Sequence, residues 1–597
     1  MTARVKLRVR SQRLHHVGAL LASVAILLCL FAPTATVTAQ DAAPPASSAS
    51  TTASEEELKV LRRLLGLPAP EPEPAPVIEA PQPEPEPVII APEPAPAPEP
   101  EPAPVVVAPE PEPEPEPAPK PATGPKPEPA KPAAKKPVPK PVAKPKPAPA
   151  PAKKPAPKVD SVKKPAPAPT PAKPQPLPPE ETPTIQAGTP ASAVGIQGDV
   201  PAPGTVVSAE NLERWKHLLG PSIQWSIERG ASLDVTAYKH MPLEYFRNDA
   251  TQRYHAQVKL AADKRSIQNY VAGIPFPLVD ESDPDAAVKL MFNMENRIAI
   301  DDIDVRNFNC DTGAINEQRG FEIQRHYLNE HFRRLYYVSR FHIDPKPTWP
   351  NQDGVRYREM LYPLLEPFDL KGAGFSYIRY LDPNRQDDSW LYFPQIKRVR
   401  RLGTAQRSEG VFGQDIDLDS YAGFSGNPAW TTWAFLGKKT ILASMHGTKT
   451  LPASFLDAPA DFFPDNYWEP REVYVILGIS QLGGYNFGRR IIYLDKEALV
   501  VPYTEIYDLK GGLWRTLVQT WHTGNKPRPD AVKSVYDYDA LYISSLVLID
   551  MQLDHATRCQ LPGPDVPGEE GWYYSMGAEE GMTEDVFDVS NFVKTGR

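Results

Sequence analysis

Four cations in five positions, Lys397, Arg398, Arg400 and Arg401, follow the aromatic run at 390–393 across a Pro394-Gln395 turn. Successive residues of a strand point to opposite sides, so a strand here carries Lys397, Val399 and Arg401 on one face and Arg398 and Arg400 on the other. Cations on both faces must lie at an exposed edge, pair with carboxylates, or bind an anion. Asp415, Asp417 and Asp419 are the nearest carboxylates and are themselves at strand spacing, so a charge network with them is the first expectation. An anionic lipid headgroup or a protein partner is the second. Nucleic acid is not expected as a partner, because the chain has a formal net charge of -9 and no supporting basic motif.

Other polar clusters have the wrong spacing for chemistry. On a helix His326 would sit near Glu330, but His331 is off that face, and a helical metal pair needs different spacing. Asp301, Asp302 and Asp304 lack the glycine and terminal glutamate of a calcium loop and read as a hydrophilic loop. No nucleophile elbow occurs, and neither 372–375 nor 482–485 continues into the Lys-Ser/Thr ending of a phosphate loop. No catalysis, metal or cofactor is therefore expected. Cys310 and Cys559 are the two cysteines outside the apolar N-terminal run that holds Cys29. In an oxidising compartment they are a candidate disulfide, although sequence separation does not show that their Cβ atoms meet.

The elements that must position these residues are turn-linked strands. Aromatic and β-branched residues fill 390–393, 397–402, 430–442, 473–479, 489–495, 499–507 and 513–521, with Gly, Asp and Asn between them. The strand at 499–507 has no cleanly polar side, so it is covered on both faces or faces a greasy cavity. The predicted fold is mainly β with α: a large curved antiparallel sheet, a half-barrel, packed with helices. A plain sandwich is the alternative. Helices are predicted from Ser208 to Gly220, over 242–260 and over 283–293. Tyr377, Trp390, Tyr392, Trp430, Trp433, Tyr503 and Trp514 are the candidate ligand-lining residues, since aromatics combine large apolar area with a polar edge. Core packing is their ordinary alternative role.

The chain of 597 residues contains 74 prolines, concentrated before about residue 190. Residues 1–39 read as a signal peptide, with a basic start, an apolar run from Val17 to Ala32 and a small-residue cleavage site at Val37-Thr38-Ala39. An uncleaved inner-membrane anchor facing the periplasm is the alternative. Residues 40–67 are expected to be disordered apart from a short helix that Ser54 and Glu57 would cap and that places Leu58, Leu61 and Leu65 on one face. Short isolated helices are marginal, so the transient reading is preferred to that of a docking peptide. Residues 68–195 read as a disordered spacer of Pro, Ala, Glu and Lys, acidic first and basic later. As polyproline II its first 115 or so residues would span on the order of 350 Å. The spacer resembles that of TonB-type envelope proteins in composition, and its lysine half is a candidate for peptidoglycan contact. Residues 196–597 form the predicted folded domain.

That domain resembles the bacterial envelope family DUF1329. The resemblance rests on Ser208-Ala209-Glu210-Asn211, on Gly273 to Pro277 with Asn293 downstream, on the basic hairpin at 390–401, on the acidic and aromatic segment at 415–424, and on 489–514. Phe292 stands where the family often has tryptophan, and the long spacer is not typical of it. The resemblance implies a periplasmic or outer-membrane-associated protein with a fold related to the LolA and LolB lipoprotein carriers. It implies a lipid or lipoprotein as ligand and an outer-membrane protein or efflux-pump component as partner. The expected function is thus non-enzymatic binding or carriage of a hydrophobic ligand, with a structural adaptor for an envelope partner as the alternative.

Overall fold

The computed structural model describes residues 53–67, 196, 198–525, 536–563 and 571–595. The expected signal peptide (1–39) and Pro-rich spacer (68–195) lie outside the described residues. The described residues all belong to one compact unit. Its sheet has seventeen strands: β1 (Val206–Val207), β2 (Leu233–Val235), β3 (Asp302–Asn316), β4 (Gly320–Tyr336), β5 (Val355–Leu361), β6 (Leu364–Glu366), β7 (Gly374–Tyr380), β8 (Asp388–Phe393), β9 (Arg398–Leu402), β10 (Thr431–Ala443), β11 (Tyr467–Ser480), β12 (Arg489–Asp495), β13 (Tyr503–Tyr507), β14 (Leu513–Gly524), β15 (Ala540–Asp550), β16 (His555–Gln560) and β17 (Gly571–Tyr574). The helices are α1 (Glu55–Leu64), α2 (Leu212–Trp215), α3 (Pro221–Glu228), α4 (Tyr245–Tyr254), α5 (Ala286–Arg297) and α6 (Val589–Thr595).

From β10 the sheet runs through β11, β12, β13, β14, β15 and β16, then crosses to β3 and continues through β4, β5, β7 and β8 to β9. The non-local step is the pairing of β16 with β3. It brings sequence-distant halves together, and the sheet remains open with β10 and β9 at its ends. The expected half-barrel is present as an open sheet, but it is mixed rather than purely antiparallel, because β2 runs parallel to β11. Bulges at Thr312/Gly313, Phe435/Gly437 and Thr520/Trp521 add local twist and bending.

Alternation sorts β11 into two packed faces. Tyr474 and Ile476, with Ile492 and Leu494 of β12, meet Ala287, Leu290, Met291 and Met294 of α5. Those four recur at i, i+3, i+4 and i+7, the spacing that makes one apolar helix face. Val473, Val475 and Leu477 point the other way, into the large core with Trp215, Ile223 and Ile227. The Asn293 amide accepts from the Phe276 N–H at 2.9 Å and donates to its carbonyl at 2.7 Å, so the two parts of that sequence motif meet. Gly273 has φ +85°, and a Cβ there would lie 2.5 Å from the Thr251 backbone nitrogen. Only glycine lets this turn close on α4.

Several expectations are corrected. The 489–495 strand and the turn after it stand as read, but residues 499–502 lie outside any strand, with Leu499 at φ +56°, and the strand begins at Tyr503. The 242–260 helix is shorter, Tyr245–Tyr254 with a 3-10 turn at His255–Gln257. His326 and His331 belong to strand β4 rather than to a helix. Asp301, Asp302 and Asp304 are buried rather than in a hydrophilic loop. Asp301 accepts backbone N–H groups from Phe341, His342 and Ile343, while Asp304 receives His331 Nδ1 at 2.9 Å and Arg306 Nε at 2.8 Å. Helix α1, read as transient, is packed on the domain. Ser54 and Glu57 form its capping box, and Leu61 is buried.

Candidate functional site

One cavity of about 180 Å³ lies inside the sheet's bend. Ile303, Val305, Phe308 and Cys310 of β3 form one wall with Phe332 of β4 and Phe375 of β7. Trp521, Leu541, Ile543, Leu546 and Trp572 come from β14, β15 and β17. Val411, Phe412, Ile416 and Leu418, in the loop between β9 and β10, complete the lining. That strands from both halves face one space is itself the evidence that the sheet curves around it. An apolar cavity of 150 Å³ holds benzene and stays dry, so this one has room for an apolar group of at least that size.

The cavity wall carries the disulfide between Cys310 and Cys559. The two are directly opposed in the β16–β3 register, with Cα atoms 4.1 Å apart. The bond therefore staples the one strand pairing that joins the two halves of the sheet.

Beside the amides of Asn329 and Gln414, charged groups interrupt the apolar lining in three places. At the first, Glu244 receives Arg297 Nη1 at 3.0 and 2.9 Å and Arg247 Nε at 2.9 Å, and all three residues are buried. Burial alone would raise the Glu244 carboxyl, but the charges of Arg297 and Arg247 outweigh it and hold the group at about 2. At the second, Arg334 donates to Glu359 at 2.6 Å and to the Tyr336 hydroxyl at 2.8 Å. Tyr421 also donates to Glu359. Burial, then the Glu359 charge, pushes the Tyr421 phenol far up, so it remains a neutral donor. The third is Asp417, raised by burial against the opposing pull of Arg490 and a hydrogen bond from Ser420. Among the described residues no group of His, Cys, Asp and Glu is arranged to hold a metal ion.

None of the seven aromatic candidates lines this cavity. Tyr377 comes nearest: its hydroxyl bridges those of Tyr357 at 2.9 Å and Tyr421 at 3.1 Å, and so stands behind a residue of the wall. Tyr392 is buried in a satellite core with Leu335 and Phe592. Trp430 and Trp433 donate to the carbonyls of Pro383 at 3.0 Å and Pro428 at 2.9 Å. Tyr503 accepts from the Gly220 N–H at the start of α3. Trp514 donates to Asp550 at 2.9 Å, and Trp390 is half-buried in β8 opposite Arg401. These rings pack and cap the sheet.

The basic hairpin is also placed differently from the first expectation. Lys397, Arg398, Arg400 and Arg401 are exposed, with β9 at the sheet's end, and Arg401 pairs with Asp388. The expected network with Asp415, Asp417 and Asp419 does not form. Asp415 receives His555 Nδ1 and Thr557 Oγ1, both at 2.8 Å, and Asp419 binds Arg407 at 2.6 Å and Tyr485 at 2.8 Å. His555, Thr557 and Tyr485 are far in sequence, whereas Arg407 lies only 12 residues from Asp419.

The family model described as a protein of unknown function (DUF1329) matches residues 206–575. The chain belongs to the DUF1329 family. No curated protein matches it. Among solved structures, this DUF1329 chain is 14% identical to a putative outer membrane lipoprotein-sorting protein domain from Vibrio parahaemolyticus, with a TM-score of 0.34 over 51% of this chain and 98% of that one. A DUF1329 family protein from Desulfovibrio piger is 13% identical, TM-score 0.32, over 51% and 96% of the two chains. A LolA superfamily protein from Nitrosomonas europaea is 12% identical, TM-score 0.23, over 45% and 86%.

Proposed function

We propose that this DUF1329 protein is an exported, non-enzymatic carrier that binds the apolar part of a lipid or lipoprotein in the cavity between the two halves of its sheet. The observation that supports the reading is the cavity itself, whose lining is predominantly aliphatic and aromatic, with most of its charged side chains held in ion pairs. Glu244 is neutralised by Arg247 and Arg297, and Arg334 by Glu359. Such a site rewards burial of apolar surface, at roughly 25 cal/mol per Å². The signal-like N-terminus supports a periplasmic or outer-membrane-associated location. Among the described residues no helix is long and apolar enough to cross a membrane.

The exposed cations of β9 favour a second role in the same protein, docking on an anionic headgroup or an envelope partner such as an efflux-pump component. Titration of delipidated protein with a fluorescent acyl probe tests the carrier reading. Saturable binding that added phospholipid displaces is expected. Absence of saturable binding, together with identical small-molecule content before and after delipidation, overturns it.

A further inference from the structure

Strand β10 ends the sheet and has a strand partner on one side only, so its outer backbone groups would be open to pairing. Helix α1 takes two of them. Arg62 Nε donates to the Leu436 carbonyl at 2.9 Å and Arg62 Nη2 to that of Phe435 at 3.2 Å, at the bulge where Gly437 turns the strand. Lys439 Nζ returns a bond to the Leu65 carbonyl at 2.9 Å, which places a cation on the helix C-terminus. Leu61, Leu65 and Leu67 are buried in the domain core, while Val60 and Leu64 on the opposite face are exposed. Leu67 lies beside the bulge: a Cβ on Gly437 would be 3.6 Å from its side chain, an ordinary van der Waals contact. A ten-residue helix is marginal in water, so its order depends on this contact.

We propose that the β10 edge is a recognition site for a leucine-faced helix bearing an arginine, and that residues 54–67 are its tethered occupant, a latch that fixes the start of the Pro-rich segment to the domain that also holds its end. With the latch docked, the roughly 130 intervening residues are closed at both ends on one domain. With it released, the same residues join the helix to the domain through the chain alone. The tether makes rebinding intramolecular, at an effective concentration that falls with linker length, so an amphipathic helix supplied in trans competes with it.

The test uses the full chain carrying Leu61→Asp and Leu65→Asp, with a fluorescein-labelled peptide of residues 53–67 as the probe. The peptide is expected to bind this variant at least tenfold more tightly than the unsubstituted chain, whose own latch occupies the site. Lys439→Met in the Leu61→Asp, Leu65→Asp background is expected to weaken that binding by tenfold or more, with thermal melting of the domain unchanged. Small-angle scattering should show a larger radius of gyration for the doubly substituted chain. Equal affinity for substituted and unsubstituted chains, or no binding to either with both folded, overturns the proposal. A concentration-dependent dimer of the unsubstituted chain that the leucine substitutions abolish would show the helix exchanged between copies and would overturn the latch in cis.

Discussion

Replacing Glu244 by Gln keeps the shape of the side chain and removes the charge that two buried arginines share. Arg247 and Arg297 are each 2% exposed, so neither can turn to water when the carboxylate is gone. A carboxyl held at about 2 instead of its usual 4.5 contributes roughly 3 kcal/mol to stability at neutral pH. Breaking a buried pair by removing one partner typically costs about 3–5 kcal/mol, in agreement with that figure. For a domain of roughly 390 residues the unfolding entropy is near 0.8 kcal/mol/K, so a melting decrease of about 4 °C is expected. The sign with pH follows from the direction of the shift. The folded value lies below the unfolded one, so the stabilisation is complete above about pH 4.5 and is lost as pH falls through about 2. The unsubstituted chain should therefore lose its advantage over Glu244→Gln in acid, and their urea midpoints should converge. A Glu244→Gln protein that melts within 1 °C of the parent at pH 7, with a parallel pH profile, would refute the reasoning.

Ala540 lies on the cavity wall and is buried; Ala540→Phe should reduce acyl-probe affinity by about tenfold or more while melting moves by only a few degrees, as read by fluorescence titration and calorimetry. Reduction of the Cys310–Cys559 bond should cost about 2–4 kcal/mol in urea unfolding, and intact-mass analysis after alkylation without reductant should find neither cysteine modified. Because Arg398 and Arg400 are exposed, Arg398→Gln with Arg400→Gln should leave melting unchanged and weaken co-sedimentation with anionic vesicles, and added salt should reproduce part of that loss.

The local features of the meander were legible because strands β10 to β14 follow one another and announce themselves by composition. Arg489–Asp495 needed only β-branched and aromatic residues between turn formers. Strand β3 was legible too but was read for its aspartates: Ile303 and Val305 alternate with Asp302, Asp304 and Arg306, a period of two that marks a half-buried strand. Burial of the Asp301 and Asp302 carboxylates rests on backbone N–H donors 40 and 274 residues away, those of Phe341 and Met576. The cavity was hidden for the same reason. It exists because β16 pairs with β3 across 249 residues between Cys310 and Cys559, and large aromatics such as Trp430 and Trp514 found carbonyl or carboxylate partners for their N–H groups instead of facing it. Helix α1 shows the converse limit: its cap and leucine spacing are local, but its docking uses the Phe435 and Leu436 carbonyls and the Lys439 ammonium, which only the folded sheet brings together.

The most direct measurement is mass spectrometry of organic extracts from the protein purified without detergent, set beside the Ala540→Phe variant prepared identically. A carrier predicts a lipid or acylated species recovered in proportion to protein and depleted in the variant. Extracts from the two proteins that match each other and the buffer blank would contradict the assignment of this cavity to an apolar cargo.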